Sequence, residues 1–171
     1  MARKAFTLIE LTLVTVIILA LIGLSLPLFK KTFTNLSAKD AAFNISKIAS
    51  YAQEKAVIDR RNYRAIFDFN RRQYQIFEFD KPVKDKDPYK KVAGRFGRVF
   101  TLPRGLFFYD PKTGMSSKAE EEYRKQVIFY PDGRCTELSI NIADNKGNGY
   151  SITLKGFGTL PKIKEVIGEE M

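Results

Sequence analysis

The stretch KAFTLIELTLVTVIILALIGLSLPLF, residues 4–29, contains the feature that decides the fold. Between Phe6 and Phe29 every residue is uncharged except Glu10. These 24 residues would form a helix of roughly 36 Å at about 1.5 Å per residue, long enough to cross the core of a bilayer. Because a carboxylate near the bilayer centre costs about 2.5–3.5 kcal/mol on insertion scales, we expect Glu10 to have a function.

The apolar run is predicted to be a retained anchor rather than a secretory signal. A secretory signal has a shorter apolar region of about 7–15 residues, followed by a cleavage site with small residues. Here the run leads directly into Lys30 and Lys31, with no Ala-x-Ala site after it. Charge does not orient the segment, because Arg3 and Lys4 balance the two lysines at the other end.

Residues 4–10, KAFTLIE, closely resemble the N-methylation signal of type IV pilins and type II secretion pseudopilins. The resemblance implies that prepilin peptidase removes a leader, residues 1–5, by cutting between Ala5 and Phe6. The new N-terminal amine of Phe6 would then be methylated. The family usually has Gly before the cut, so Ala5 is a departure; because Ala is also small, we expect cleavage at a reduced rate.

Glu10 and Pro27 match two further positions of the family pattern. Counted from Phe6 they are the fifth and twenty-second mature residues, where the family carries Glu and, in many members, a helix-loosening Pro. The resemblance implies that Glu10 pairs with the N-terminal amine of a neighbouring subunit in a filament. Low dielectric strengthens such a pair and makes an unpaired charge costly, so the pair would fix one axial stagger. The alternative is an interfacial acid in a generic anchor.

The segment that follows, residues 30–60, contains neither Pro nor Gly, and apolar residues recur in it at spacings of three to seven. These residues are Phe33, Leu36, Phe43, Ile48, Ala52 and Ala56. The pattern predicts an amphipathic helix whose apolar stripe lies in the core.

Beyond Asn62 the pattern changes to that of strands. We predict a hairpin of residues 64–70 and 73–79, a charged loop at residues 81–98 and a short helix at residues 116–125. The other predicted strands are residues 106–109, 126–130, 138–142, 150–155 and 160–163. The prediction is therefore an α+β fold of type IV pilin type, in which a long N-terminal helix packs on an antiparallel sheet of residues 63–165. The globular domain would comprise residues 30–171.

Three stretches of this domain resemble the GspH/FimT group of minor pseudopilins and minor pilins. They are AQEKAVIDRRNYRAIFDFN at 52–70, VIFYPDGRCTELSINI at 127–142 and GYSITLKGFGTLPKI at 149–163. The resemblance implies a minor pseudopilin, a structural subunit of a type II secretion pseudopilus that supports export across the outer membrane. The alternative is a minor type IV pilin that acts in pilus assembly or DNA uptake. Implied partners are other pseudopilins, prepilin peptidase and the inner-membrane assembly platform, with the globular domain in the periplasm.

Composition argues against an enzyme. The chain has no histidine, which removes the commonest general base and metal ligand. We identify no nucleotide-binding or nucleophile motif, and predict no cofactor and no metal. The single cysteine, Cys135, is expected to be a small packed residue. The loop of residues 144–149 resembles a calcium loop only in part, because Lys155 occupies the position of the bidentate acid; we predict a turn.

The chain carries a formal charge of +10, and residues 81–98 have a local excess of five positive charges. Lys90, Lys91, Arg95 and Arg98 are the candidate anion-binding residues, and bases could stack on the neighbouring Tyr89 and Phe96. Three alternatives stay open for this segment: DNA binding, contact with another subunit or an anionic lipid, and a solvated loop.

Overall fold

A computed structural model describes residues 7–80, 87–110, 123–157 and 161–166. For residues 23–35 and 157 it describes the backbone alone. The chain divides into two compact units, residues 1–35 and 36–171. The predicted leader and the Ala5–Phe6 cleavage site lie outside the described residues.

The first element is helix α1, Leu8–Ile58. Pro27 falls within it, at a position where only the backbone is described. The helix ends with Arg60 in the left-handed conformation at φ 51°. The Arg61 N–H then donates to the Ala56 carbonyl at 3.2 Å, which is the closing bond of a Schellman cap. In the part of the chain that is described, no helix is long and apolar enough to cross a membrane.

The second unit contains a nine-stranded sheet in which all pairs are antiparallel. Its strands are β1 Tyr63–Asp68, β2 Gln73–Phe79, β3 Tyr89–Lys91, β4 Phe100–Thr101, β5 Phe107–Tyr109, β6 Arg124–Phe129, β7 Arg134–Ala143, β8 Gly149–Phe157 and β9 Lys162–Val166. They follow the order β3-β2-β1-β6-β7-β8-β9, with β4 paired to β2 and β5 paired to β7. The predicted α+β fold is confirmed.

Small residues make up most of the helix side of the core. The buried helix positions are Ala38, Ala41, Ala42, Ile45, Ile48, Ala49, Ala52 and Ala56. The prediction that Leu36 and Phe43 lie in the core is wrong, because both side chains are about half exposed. Phe43 precedes the buried Ile45 by two residues, which is about 200° around the helix axis, so the two side chains lie on different faces.

Aromatic side chains fill the core on the sheet side. Phe108 of β5 is fully buried, and its ring lies 6.0 Å from that of Phe67 and 5.3 Å from that of Phe69. Tyr74 of β2 packs on the same ring at 6.3 Å. Burial raises the pKa of Tyr74 to about 12.

Two predictions of local structure are wrong within the described residues. The segment predicted as a charged loop contains β3, which pairs with Phe77–Phe79 of β2, and a short 3-10 helix, Arg95–Gly97. Residues 81–86 lie outside the described part. Arg124 and Lys125, predicted as helical, begin β6 and pair with Asp68 and Phe67 of β1. Sheet pairing therefore decided these charged segments, whose own pattern is weak.

Candidate assembly helix and basic surface

The predicted assembly residue, Glu10, lies in the first turn of α1 and forms a capping box with Thr7. The Thr7 N–H and hydroxyl donate to Glu10 Oε2 at 2.9 and 2.8 Å, and the Glu10 N–H donates to Thr7 Oγ1 at 3.3 Å. Both bonds that the carboxylate accepts end on the same oxygen, Oε2. Because a carboxylate offers about four acceptor positions, the cap leaves acceptor capacity for a further donor. The T-x-x-E spacing could have revealed this cap from the sequence.

The helix positions from Leu8 to Ile22 present apolar side chains on every side. All eleven Val, Leu and Ile residues in this range are 47–82% exposed. A contiguous apolar surface of this kind marks an interaction with protein or lipid, because water contact disfavours it. Thr12 and Thr15 turn their hydroxyls back to the helix, donating to the carbonyls of Ile9 and Leu11 at 2.9 and 2.8 Å. Their polar groups therefore add little polarity to the helix surface.

The four basic residues predicted as a cluster at residues 90–98 differ in their surroundings. The Lys90 ammonium lies 3.5 Å from Glu78 Oε1 and 3.4 Å from Asp80 Oδ2, so two carboxylates offset its charge. Lys91, Arg95 and Arg98 are exposed. The anion-binding role of all four residues stays a prediction. The positive charge of the cluster that two carboxylates do not offset is that of Lys91, Arg95 and Arg98.

The two aromatic residues of this cluster are packed. Phe96 stacks on Tyr51 of α1, with ring centroids 4.2 Å apart. The Arg64 guanidinium lies 4.1 Å from the centroid of the Tyr89 ring, which also makes an edge contact with Phe79. The Phe96 ring therefore helps to hold this basic cluster on α1, and the Tyr89 ring helps to hold it on the sheet.

Residues 87–101, which we call the edge segment, complete the outer edge of β2. Both β3 and β4 pair with β2, and between them Gln75 Nε2 donates to the Gly97 carbonyl at 2.6 Å. Arg64 forms an ion pair with Asp87, and this hydrogen bond lowers the pKa of the Asp87 carboxyl. At Gly97 a Cβ would lie 1.5 Å from the Val92 carbonyl oxygen, so the segment closes only with glycine there.

A buried ionic group at the end of β5 was not predicted from the sequence. Asp110 is fully buried, and its Oδ2 lies 2.6 Å from the Lys125 ammonium and accepts from the Tyr123 hydroxyl at 2.6 Å. A buried carboxylate needs such partners, because desolvation penalises its charged form. We assign this group a structural role. In the sequence, Asp110 follows a predicted aromatic strand and precedes a proline, and this pattern indicated only a turn.

Cys135 is half buried, and its Sγ donates to the Gly156 carbonyl at 3.8 Å. Burial raises the pKa of its thiol, which opposes the thiolate form required of a nucleophile. Over the described ranges, no three potential metal-binding side chains lie close enough together to hold an ion.

No family model matches the chain, but comparison with individual proteins finds similar ones. Type II secretion system protein H of Pseudomonas aeruginosa is 27% identical over an alignment of 171 positions, covering 95% of this chain and 96% of the relative. Two structures of the minor pseudopilin EpsH, from the type II secretion system of Vibrio cholerae, superpose with TM-scores of 0.59 and 0.56. They share 15% and 16% identity and cover 79% and 77% of this chain, and 99% and 97% of their own.

The structural comparisons show that the chain shares the fold of these pseudopilins, since TM-scores above 0.5 extend over nearly all of each EpsH chain. Together with the sequence relative, they confirm the predicted resemblance to the pilin and pseudopilin superfamily, and to its GspH group in particular.

Proposed function

We propose that this chain is a minor pseudopilin, a structural subunit of a type II secretion pseudopilus that supports protein export across the outer membrane. One observation carries the proposal: the helix from Leu8 to Ile22 exposes apolar side chains around its whole circumference and has one acidic residue, Glu10, in its first turn. Such a helix needs an apolar environment, and bundling with the same helix of other subunits supplies one. The relatives named above are pseudopilins or secretion-system subunits.

The details of maturation are part of this proposal. Before assembly, residues 6–29 anchor the chain as a single span in the inner membrane, with the globular domain in the periplasm. Prepilin peptidase cuts between Ala5 and Phe6, and the amine of Phe6 is methylated. Other pseudopilins and the inner-membrane assembly platform are the partners, and the subunit has no catalytic role. The KAFTLIE motif supports this sequence of events.

Glu10 is assigned the register contact of the filament. Its Oε2 caps its own helix, while the remaining acceptor positions of the carboxylate face the amine of a neighbouring Phe6. Between apolar helices the pair is strong and its separation is costly, so subunits with the correct stagger are favoured. Pro27 is proposed to let the helix adapt where the apolar run ends.

The experiment compares a strain lacking this chain with its parent for secreted proteins, surface pili and DNA uptake. Exoenzymes retained in the periplasm, with pili and uptake unchanged, are the expected result. Normal secretion with lost pili or uptake would overturn the proposal and identify a minor type IV pilin. A complementing Glu10→Ala variant, present at normal level in the membrane, should leave the defect unrepaired.

Processing is tested separately by mass spectrometry of the chain isolated from its membrane. The expected N-terminus is methylated Phe6, absent in a strain without prepilin peptidase. An Ala5→Gly variant should mature faster in a pulse-chase experiment. An intact N-terminus in the assembled subunit would contradict the maturation scheme.

A further inference from the structure

The outer face of the sheet, opposite the helix, carries a half-open cavity of about 200 Å³ that no part of the proposed function uses. Its floor is a row of three residues on adjacent strands: Gln73 and Arg124 lie directly opposite Asp68 on either side. Arg71, in the hairpin turn between β1 and β2, and Gln75 of β2 also line the cavity. We call it the Asp68 cavity.

Asp68 holds two arginines at this cavity. The residue is 8% exposed, and its Oδ1 accepts the Arg71 N–H at 2.8 Å, which fixes the hairpin turn. Its Oδ2 accepts from Arg124 Nε at 3.0 Å and lies 4.0 Å from Arg71 Nε. One buried carboxylate therefore fixes the Arg124 guanidinium by a hydrogen bond and the backbone of Arg71 by another. The Arg71 guanidinium lies beside the same carboxylate and stays exposed.

Arg71 supplies an accessible cation at the cavity. Its Nε lies 4.0 Å from Asp68 Oδ2. A guanidinium has five N–H donors, and the Arg71 side chain is 67% exposed. Arg71 can therefore keep its contact with Asp68 and still present donors to a second anion. Planar paired donors of this kind match a carboxylate in a bidentate arrangement.

Apolar side chains form a further part of the lining. Ile66 and Phe77 supply the wall on the sheet, and Val99 of the edge segment supplies the opposite wall with 46% of its surface exposed. A site that combines an exposed guanidinium with apolar walls suits an acidic side chain flanked by apolar residues. A nucleic acid instead requires a track of cations along its phosphates, and Asp68 would oppose such a track.

We propose that the Asp68 cavity binds an Asp or Glu side chain of another pilin-type subunit, with Arg71 as the principal contact. This inference rests on the proposed function, since it assigns one of the subunit contacts of the filament. Charge complementarity favours such an occupant, because this chain has a net charge of +10 and a neighbour with an acidic surface would associate with it most readily.

The test uses the full chain in cells that carry the complete secretion system. A photo-crosslinking residue replaces Val99 at the cavity rim, and a second variant carries it at Leu13 on the exposed apolar helix. The Val99 probe is expected to crosslink to another pilin-type subunit. Adding Arg71→Glu should reduce this crosslink about tenfold, because like charges at a contact oppose association. The matched variant Arg104→Glu, an exposed arginine outside the cavity, should leave it unchanged.

A second substitution tests the cavity independently, as a control for misfolding of the Arg71→Glu variant. Gln73→Trp fills the cavity without a change of charge, on a strand where Trp is well tolerated, and should also abolish the Val99 crosslink. A crosslink that persists in either variant, or one made to DNA, overturns the inference. If the partner is the expected subunit, an Asp→Lys or Glu→Lys change at its crosslinked acid should restore secretion to Arg71→Glu.

The Leu13 probe separates failure of this inference from failure of the proposed function. Crosslinks from Leu13 to other subunits, with none from Val99, would refute the cavity contact and leave the pseudopilin proposal standing. Absence of crosslinks from both positions would contradict both proposals.

Discussion

The two parts of helix α1 differ in the burial of their apolar side chains. From Leu8 to Ile22 the apolar residues are large, and all of them are exposed. From Ala38 to Ala56 the buried residues are mostly alanines, and they lie against the sheet. Hydrophobicity alone therefore does not identify the core of this chain. We infer that small size selects the core face of the helix, because the core is close-packed, while the large apolar residues of the first part are exposed.

The sharpest test of this comparison is Glu10→Gln, which keeps the size of the side chain and removes its charge. Secretion should fall to the level of the deletion strain, because the variant cannot form the proposed intersubunit ion pair in an apolar surrounding. Secretion is measured by exoenzyme activity in culture supernatants. The subunit should remain in the membrane fraction at normal level, since Glu10 lies outside the globular unit. Loss of the subunit itself would instead indicate a structural role for Glu10.

The second test removes a large residue from the core. Phe108→Ala should lower the free energy of unfolding by about 3–5 kcal/mol, the typical cost of truncating a buried aromatic side chain. Urea denaturation of the full chain in detergent, followed by the near-ultraviolet circular dichroism of its eight tyrosines, measures the change. Leu13→Ala is the matched control in the other region. As an exposed position, it should change the unfolding free energy by less than about 0.5 kcal/mol.

The apolar helix, the unusual position of Glu10 and most of the strands were predictable from the sequence. Patterns of apolar residues carry this information when one face of an element is buried. The hairpin β1–β2 is an example, since β2 has the predicted bounds and β1 differs by one or two residues at its ends. Leu36 and Phe43 were misplaced because the pattern reports apolar character, whereas the structure buries the alanines beside them.

The contacts that could not be predicted from the sequence join residues far apart in the chain. Asp68 and Arg124 are separated by 56 positions, and Asp110 and Lys125 by 15. No local spacing links these pairs. Asp68 lies opposite Arg124 because β1 pairs with β6, and Asp110 is placed by the end of β5. The edge segment was missed for the same reason, since β3 and β4 exist only through their pairing with β2.

The third test asks whether small size is required on the core face of α1. Ala52 is fully buried, and Ala52→Leu should lower the free energy of unfolding by about 1–3 kcal/mol through overpacking. The same denaturation measurement applies. Ala20→Leu, in the exposed apolar part of the helix, is the control and should leave stability nearly unchanged. If Ala52→Leu were neutral, close helix–sheet approach would not explain the alanine pattern.

The fourth test concerns the junction where α1 meets β1. The hydroxyl of the buried Tyr63 donates to Asp59 Oδ2 at 2.6 Å, with Glu78 Oε2 as a longer second acceptor at 3.3 Å. Tyr63→Phe should lower the free energy of unfolding by about 0.5–1.5 kcal/mol at neutral pH, the net contribution of one hydrogen bond. A double-mutant cycle with Asp59→Ala isolates the pair, and a coupling near zero would contradict the assignment.

The smallest expected effect is the pH dependence of this same contact. The hydrogen bond from Tyr63 lowers the pKa of the Asp59 carboxyl below its ordinary value. Because the folded pKa is depressed, the stabilisation is complete above about pH 4 and is lost as pH falls through the folded pKa. The stability difference between the natural chain and Tyr63→Phe should therefore shrink as acid protonates Asp59. Asp87 and Asp132, whose pKa values are also lowered, are present in both proteins and should cancel in the comparison. A difference that stays constant down to about pH 2 would show that the Tyr63 hydroxyl stabilises the junction independently of the charge on Asp59.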